Sequence, residues 1–327
     1  MKSWNLFLTR FAAAVFTLAV LFFSPALVPA QTFPDKPITI YCGYAAGATT
    51  DLTARALAQG VEKLLGVPVV VENKTGGAAT VAAALVASKK GDGYTLGVTS
   101  TAAITMRPHL MKLGYTGPKD FTVLMQYSRF IGALCVLKDS PWKNIEEFIA
   151  YARKHPGMAY ASNGMYTQQQ LAVEIFRQCK GLDFKHMPTK GGTEANTALL
   201  GKHVEFIPGA GSHLPLVKQG AFRQLLILNS DKRDPDYPDL PTMKEIGCPD
   251  NPANGYIVMG PKAMPAPVVK KLGEAFTKVA QSAEFRKLLD SYDLPYDYKD
   301  QNQLAKDIPA EFDWYKGFLQ KLGVKKE

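Results

Sequence analysis

The chain has 327 residues, 46% of them hydrophobic and 20% charged, with a formal net charge of +9 at pH 7. At about 150 residues per domain this length predicts two domains, and 27 glycines with 22 prolines are too few for a fibrous or disordered class. One stretch alone approaches bilayer-spanning length, which excludes a polytopic membrane protein, and the basic residues are scattered in short groups such as Lys89-Lys90 and Lys270-Lys271, which argues against a nucleic-acid partner.

The apolar stretch is at the N-terminus. Lys2 and Arg10 precede the run Phe11 to Phe23, and Ser24-Pro25-Ala26-Leu27-Val28-Pro29-Ala30 follows it. A basic start, an apolar middle and small residues at a cut site predict a secretory signal peptide over residues 1–30, cleaved after Ala30. No cysteine follows closely enough to be acylated. The alternative is an uncleaved anchor helix. Losing Lys2 and Arg10 still leaves a basic chain, which suits an anionic membrane or an anionic small molecule.

Downstream, short β-branched runs alternate with helical spacing. Strands are predicted at 38–42, 67–71 and 94–99, with helices at 51–65 and 80–88 between them. Strands follow at 130–137, 159–161, 183–187, 204–207 and 225–228. Helices are expected at 144–154, 168–179, 193–200, 267–279, 283–289 and 312–322. The alternation predicts an α/β protein with a parallel sheet.

Open parallel sheets bind ligands at the carboxyl ends of their strands. Three loops there are rich in small and hydroxyl residues: 43–50, Thr99-Ser100-Thr101 and 162–167. Each precedes or can precede a helix, whose free N–H groups and dipole attract anions. The bland reading of the first is a tight connection capped by Thr50 or Asp51. A fourth segment, Thr189 to Glu194, brings Lys190 and two glycines that permit close backbone approach.

Enzyme signatures are sparse. Gly209-Ala210-Gly211-Ser212-His213 has its glycines at the wrong offset for a nucleophile elbow, and Gly201-Lys202-His203 is no phosphate loop. The five histidines lack metal-ligand spacing, so neither metal nor cofactor is expected. Cys42, Cys135, Cys179 and Cys248 form no C-x-x-C; four cysteines allow three full pairings, and buried free thiols are as acceptable as one bridge.

Several segments resemble one family in order. Phe33-Pro34-Asp35-Lys36-Pro37-Ile38 is similar to the mature start of Bug-type (TctC) extracytoplasmic solute receptors of tripartite tricarboxylate transporters. Tyr44-Ala45-Ala46-Gly47-Ala48-Thr49-Thr50-Asp51 resembles that family's aromatic-Pro-Ala-Gly-Gly-x-Thr-Asp loop. Val69 to Gly77 resembles V-V-E-N-x-x-G-A-G, and Asp92-Gly93-Tyr94-Thr95-Leu96 matches D-G-Y-T-L. Tyr160-Ala161-Ser162, Gly164, Thr167 and Leu171 follow Y-G-S-x-G-x-G-T-x-x-x-L; Lys190-Gly191-Gly192 and Leu240-Pro241-Thr242 follow Y-K-G-G and V-P-T.

The resemblance implies a type II periplasmic-binding-protein-like fold, with two α/β domains joined by a two-strand hinge and a ligand cleft between them. Domain 1 would comprise 31–128 plus 253–327, and domain 2 would comprise 129–252. It implies a non-catalytic, monomeric periplasmic receptor that delivers a di-, tri- or aromatic carboxylate to membrane subunits, or serves a sensor kinase without transport. The binding residues would be Tyr44, Ala46, Gly47, Ala48, Thr49, Thr50 and Asp51; Thr99, Ser100 and Thr101; Ser162, Asn163, Gly164, Tyr166 and Thr167; and Lys190, Gly191 and Gly209. The chain departs from the family at Ala45, Ala48, Met165, Tyr166, Gln170 and Pro208-Gly209. Those departures predict a reshaped cleft in which Tyr44, Tyr166 and Tyr256 face a flat or bulky acid. The rival is a secreted hydrolase using Ser162 or Ser212 with His213.

Overall fold

The computed structural model describes residues 33–327 except 210, 231, 235, 250, 251, 253, 322, 324, 325 and 327. The expected signal peptide, 1–30, lies outside the described residues. The segment to Asp35 and the chain from Lys36 onward are separate units; the elements below belong to the second.

The first strand, β1 (Ile38–Cys42), opens a six-stranded sheet. Its Ile38, Ile40 and Cys42 are fully buried, as suits a β-branched run with parallel partners on both sides. Helix α1 (Thr49–Leu65) turns Ala54, Leu57, Ala58 and Val61 inward. It stops at Gly66, whose φ of 71° is left-handed and costs glycine little. β2 (Val69–Asn73), α2 (Thr80–Ala87) and β3 (Thr95–Ser100) complete the parallel part. Two short helices follow, α3 (Thr101–Thr105) and α4 (Arg107–Leu110).

β4 (Phe121–Phe130) then crosses the sheet in the same direction as β3, and the chain leaves it for a second set of elements. β5 (Ala133–Leu137), α5 (Ile145–Lys154), β6 (Met158–Ser162), α6 (Gln168–Lys180), β7 (Phe184–Pro188), α7 (Gly192–Leu200), β8 (Ile207–Gly209), α8 (Leu214–Lys218) and β9 (Phe222–Ile227) make up this part. β5 pairs antiparallel with β8 and β9, while β6 and β7 pair parallel. Its core contains Leu134, Phe148, Tyr160, Phe176 and Phe206.

The chain returns through β10 (Asn254–Pro261), antiparallel to both β3 and β4. α9 (Ala266–Ala280), α10 (Ala283–Ser291), β11 (Tyr296–Asp300) and α11 (Gln301–Lys321) end it, giving the sheet order β11-β4-β10-β3-β1-β2. β4 and β10 are therefore adjacent crossings. Asn229 fixes the exit, accepting from the Gly132 N–H and donating to the Phe130 carbonyl.

The expected parallel sheet is corrected: β10 and β11 run against the other four strands, and the second half holds one antiparallel and one parallel sheet. Strand direction there depends on partners far apart in sequence, which local periodicity does not encode. Phe206 meets Tyr160 at one bridge, so the 204–207 run yields only the short β8. The last helix begins at Gln301, not 312, and passes through Pro309. Leu304 and Ile308 before that turn and Tyr315 and Leu319 after it are all buried, and their packing outweighs the lost hydrogen bond. α3, α4 and α8 escaped sequence reading because four or five residues are too few to show a helical period, and β11 was also missed.

Among the cysteines, Cys179 bonds Cys248, while Cys42 and Cys135 are buried free thiols. One bridge and two free thiols are thus both present.

Candidate functional site

A cavity of about 560 Å³ lies where the loop after β1 and residues from β3 and β10 meet residues following β6 and β7. One wall begins with the small-residue loop before α1. There Asp51 turns back into its own loop: its carboxylate accepts from the Gly47 N–H at 2.9 Å and Asn73 Nδ2 at 2.7 Å and pairs with Arg55 at 3.0 Å. Burial works to raise its pKa, but those donors outweigh it and hold the carboxyl below its ordinary range. No side chain caps α1 at Ala48. Ala48, Thr49 and Thr50 line the cavity, so uncapped first-turn N–H groups border it.

Tyr44, Ser100 and Tyr256 line the same wall. Burial raises the Tyr44 and Tyr256 phenols, against opposing hydrogen bonds from Ser100 and from Thr50 and Thr49 respectively, so both stay neutral. Phe130 stands edge-on to Tyr256, with ring centroids 6.3 Å apart, and completes an aromatic patch. Below it, Met106 and Arg107 enter from α4 and the residue before it. Arg107 is only 6% exposed. Burial lowers its pKa; the hydroxyls of Tyr44 and Tyr115 act in the opposite direction, and no carboxylate contributes. A guanidinium remains protonated regardless.

The opposite wall carries Asn163, Thr167, Gln168, Gln169, Gly191, Gly192, Thr193 and Ser212. Thr167 is the N-cap of α6, its Oγ1 accepting from the Gln170 N–H at 3.3 Å. α7 begins at Gly191 with no side-chain cap. Asn163 Oδ1 and Gln168 Oε1 are buried without a hydrogen-bond partner. The lining holds no Asp, Glu or Lys, so Arg107 is its one ionised side chain. Helix N-termini plus an arginine in an acid-free cavity attract an anion.

Of the sequence-predicted residues, Tyr44, Ala48, Thr49, Thr50, Ser100, Asn163, Thr167 and Gly191 come together here. The others do not line the cavity. Ala46 is exposed on the loop, and Gly47 and Asp51 hold the loop's own shape. Thr99 is buried with its Oγ1 unpartnered. Thr101 accepts from the Gly255 N–H at 3.2 Å and so ties α3 to β10. Ser162 is fully buried, its Oγ 2.9 Å from the Gly164 carbonyl and 2.7 Å from His186 Nε2. That Gly164 carbonyl also accepts from Thr167 Oγ1 at 3.1 Å, so both residues shape the turn.

Tyr166 has a left-handed φ of 50°, and its N–H donates to Gln170 Oε1. It packs against the apolar cluster of Ala102, Met106, Leu110, Leu171, Tyr315 and Leu319 and is not among the residues lining the cavity. Lys190 is exposed, with its backbone N–H on Glu194 at 2.7 Å. Gly209 sits under His213: a Cβ there would come within 2.5 Å of the imidazole Cγ.

The hydrolase constellation is not assembled. His213 is fully buried, held to a pKa of about 4 by burial, and its Nε2 pairs with Gln224 at 2.8 Å. Ser162 pairs with His186 instead, and Asn196 donates to the Ser212 carbonyl. Sequence reading missed Arg107, Met106, Phe130, Gln168, Gln169, Ser212 and Asn254. For Arg107 one signal existed: a lone cation in the otherwise uncharged run Thr99 to Pro108.

A two-part α/β frame, crossed twice by adjacent strands and holding an acid-free cavity, is the architecture of a solute-binding protein. The model of the tripartite tricarboxylate transporter family receptor, TctC, matches residues 53–324. A UPF0065 protein from the gbd 5′ region of Cupriavidus necator is 34% identical over 322 residues, covering 98% of both chains. A TctC solute-binding protein from Polaromonas, solved without ligand, is similar at TM-score 0.76 and 26% identity, over 89% of this chain and 100% of that one. MatC from Rhodopseudomonas palustris, solved with bound malate, is similar at TM-score 0.73 and 25% identity, over 88% and 100% respectively. The chain belongs to the TctC family of tripartite tricarboxylate transporter receptors, a family of solute-binding receptors.

Proposed function

We propose that this receptor captures an organic carboxylate in the 560 Å³ cavity and presents it to the membrane subunits of a tripartite transporter. The observation that carries this reading is the charge pattern of the lining: uncapped N-termini of α1 and α7 together with Arg107, and no acid. The malate held by MatC supports the ligand class. The aromatic patch of Tyr44, Phe130 and Tyr256 favours a second reading of that ligand, a cyclic or aromatic acid.

Residues 31–128 plus 253–327 are domain 1 and 129–252 domain 2. Supporting this division, the strands of the six-stranded sheet lie in the first set, apart from Arg129 and Phe130 at the end of β4, and those of the smaller sheets lie in the second. Ligand bound to both walls stabilises the closed state by its differential affinity for it. The chain works as a monomer in the periplasm after cleavage at Ala30, and without catalysis.

The test is a thermal-shift panel on refolded, dialysed protein starting at Gln31, with mono-, di- and tricarboxylates, amino acids and sugars. A ligand at about 100 times its Kd adds about 2.7 kcal/mol of apparent stability. The expected result is a shift with one carboxylate class, the compound recovered unchanged. Silence with every carboxylate, or turnover, contradicts the reading.

A further inference from the structure

We propose that Arg107 is a specificity-determining residue, gripping one anionic group of the ligand by a direct two-pronged ion pair. It thereby selects acids with a second anionic group, which the N-terminus of α7 holds on the opposite wall. This rests on the carboxylate reading above.

The argument starts from how this chain treats its other arginines. Arg129 is partly buried and reaches Ser230 at 2.6 Å and Asp297 at 3.8 Å. Arg223 donates to the carbonyls of Lys138 at 2.9 Å and Trp142 at 2.7 Å. Arg55, Arg177 and Arg233 pair with Asp51, Glu174 and Glu245. Arg107, at 6% exposure, is more buried than any of these, yet among the described residues it has neither a carboxylate nor a hydrogen-bonding acceptor. A buried cation without a partner is costly. The cation borders the cavity, so an anion entering there supplies the missing acceptor.

Geometry separates the two ends of the ligand. Arg107 belongs to the wall of Tyr44 and Ser100, whose hydroxyls can add donors to the same anionic group. Gly191, Gly192, Thr193 and Ser212 lie on the facing wall, where the N–H groups of α7 are uncapped by any side chain. A guanidinium offers a planar fork that matches a carboxylate, while helix N–H groups bind an anion without that shape requirement. One acid group on each wall bridges the cleft; a monoacid leaves one wall unsatisfied.

Calorimetric titration tests this with linear four- to six-carbon dicarboxylates, benzene dicarboxylates and the monomethyl ester of each. Wild type, Arg107→Gln and Arg107→Lys are compared. In wild type at least one diacid binds about 30-fold more tightly than its monoester, the range of charge-assisted hydrogen bonds. Arg107→Gln erases that gap by weakening the diacid and changes the monoester less than about threefold. Arg107→Lys retains charge but not the fork, and falls between.

The ligand-free melting temperature supplies a second readout. Arg107→Gln leaves it unchanged or higher, because an unpaired buried charge is removed; a merely structural arginine would lower it, which contradicts the proposal. A diacid preference that survives Arg107→Gln, or tight binding of acids and esters alike by wild type, overturns the role of Arg107 and leaves the carboxylate reading standing. Absence of binding by every acid to wild type overturns both.

Discussion

Tyr44 and Tyr166 are both tyrosines in small-residue loops, and the fold assigns them different work. Tyr44 borders the cavity beside Ser100. Tyr166 has a left-handed backbone held by Gln170, does not line the cavity, and packs against an apolar cluster that includes Leu171 and Tyr315. Tyr44→Ala is therefore expected to weaken carboxylate binding at least about tenfold, an effect of the size of one lost charge-assisted contact. Tyr166→Ala should leave Kd unchanged and lower stability by about 1–3 kcal/mol. Titration and chemical denaturation of the two variants separate these effects; equal losses of affinity would contradict the assignment. The family resemblance carried Tyr166 into the site because its backbone conformation leaves no mark in the sequence, whereas the strand–loop–helix pattern around Tyr44 does. Arg107 went unread for a related reason: α4 spans four residues, too few for any period.

Glu311 gives the residue scale a pH dependence. It is buried behind α3, and burial is the main cause that lifts its pKa to about 7, with Thr105, Thr101 and Lys299 pulling the other way. The Thr105 hydroxyl lies 2.8 Å from both the Thr101 carbonyl and Glu311 Oε1. It has one proton, so a neutral Glu311 donating to Thr105 satisfies both contacts. A carboxyl whose folded pKa exceeds its unfolded value near 4.3 stabilises the fold fully below that value and loses its contribution as pH rises through about 7. Glu311→Gln should flatten this part of the stability–pH curve and raise stability at pH 8 by on the order of 3 kcal/mol. Denaturant melts at pH 5, 6, 7 and 8 measure it; parallel wild-type and variant curves would contradict it.

At the scale of elements, the Cys179–Cys248 bridge ties the end of α6 to the loop that leads towards β10, across a sequence separation of 69. Loop-closure entropy for such a span predicts about 4 kcal/mol. Reduction, or the double change Cys179→Ser with Cys248→Ser, should cost close to that in equilibrium unfolding. A change under about 1 kcal/mol would show that the bridge is incidental to the fold. The bridge also fits an oxidising compartment. Its partner choice was not legible, since four cysteines leave three pairings open. Helix and strand positions were largely legible because each buries one periodic face. Strand direction was not: β10 pairs with β3 and β4, more than a hundred residues earlier in the chain.

At the scale of the whole molecule, the net charge of +9 and the acid-free cavity act together. The surplus, which stays positive once Lys2 and Arg10 are removed, draws anions to the surface, and on the proposed reading the cavity holds one. The most direct test is calorimetric titration of refolded, ligand-free protein starting at Gln31 with the carboxylate that gives the largest thermal shift, set beside its neutral amide. The cavity's charge pattern predicts one-to-one binding of the acid and at least about a hundredfold weaker binding of the amide, since two or more charge-assisted contacts are lost. Equal affinity for acid and amide, or binding of neither, would contradict an anion receptor.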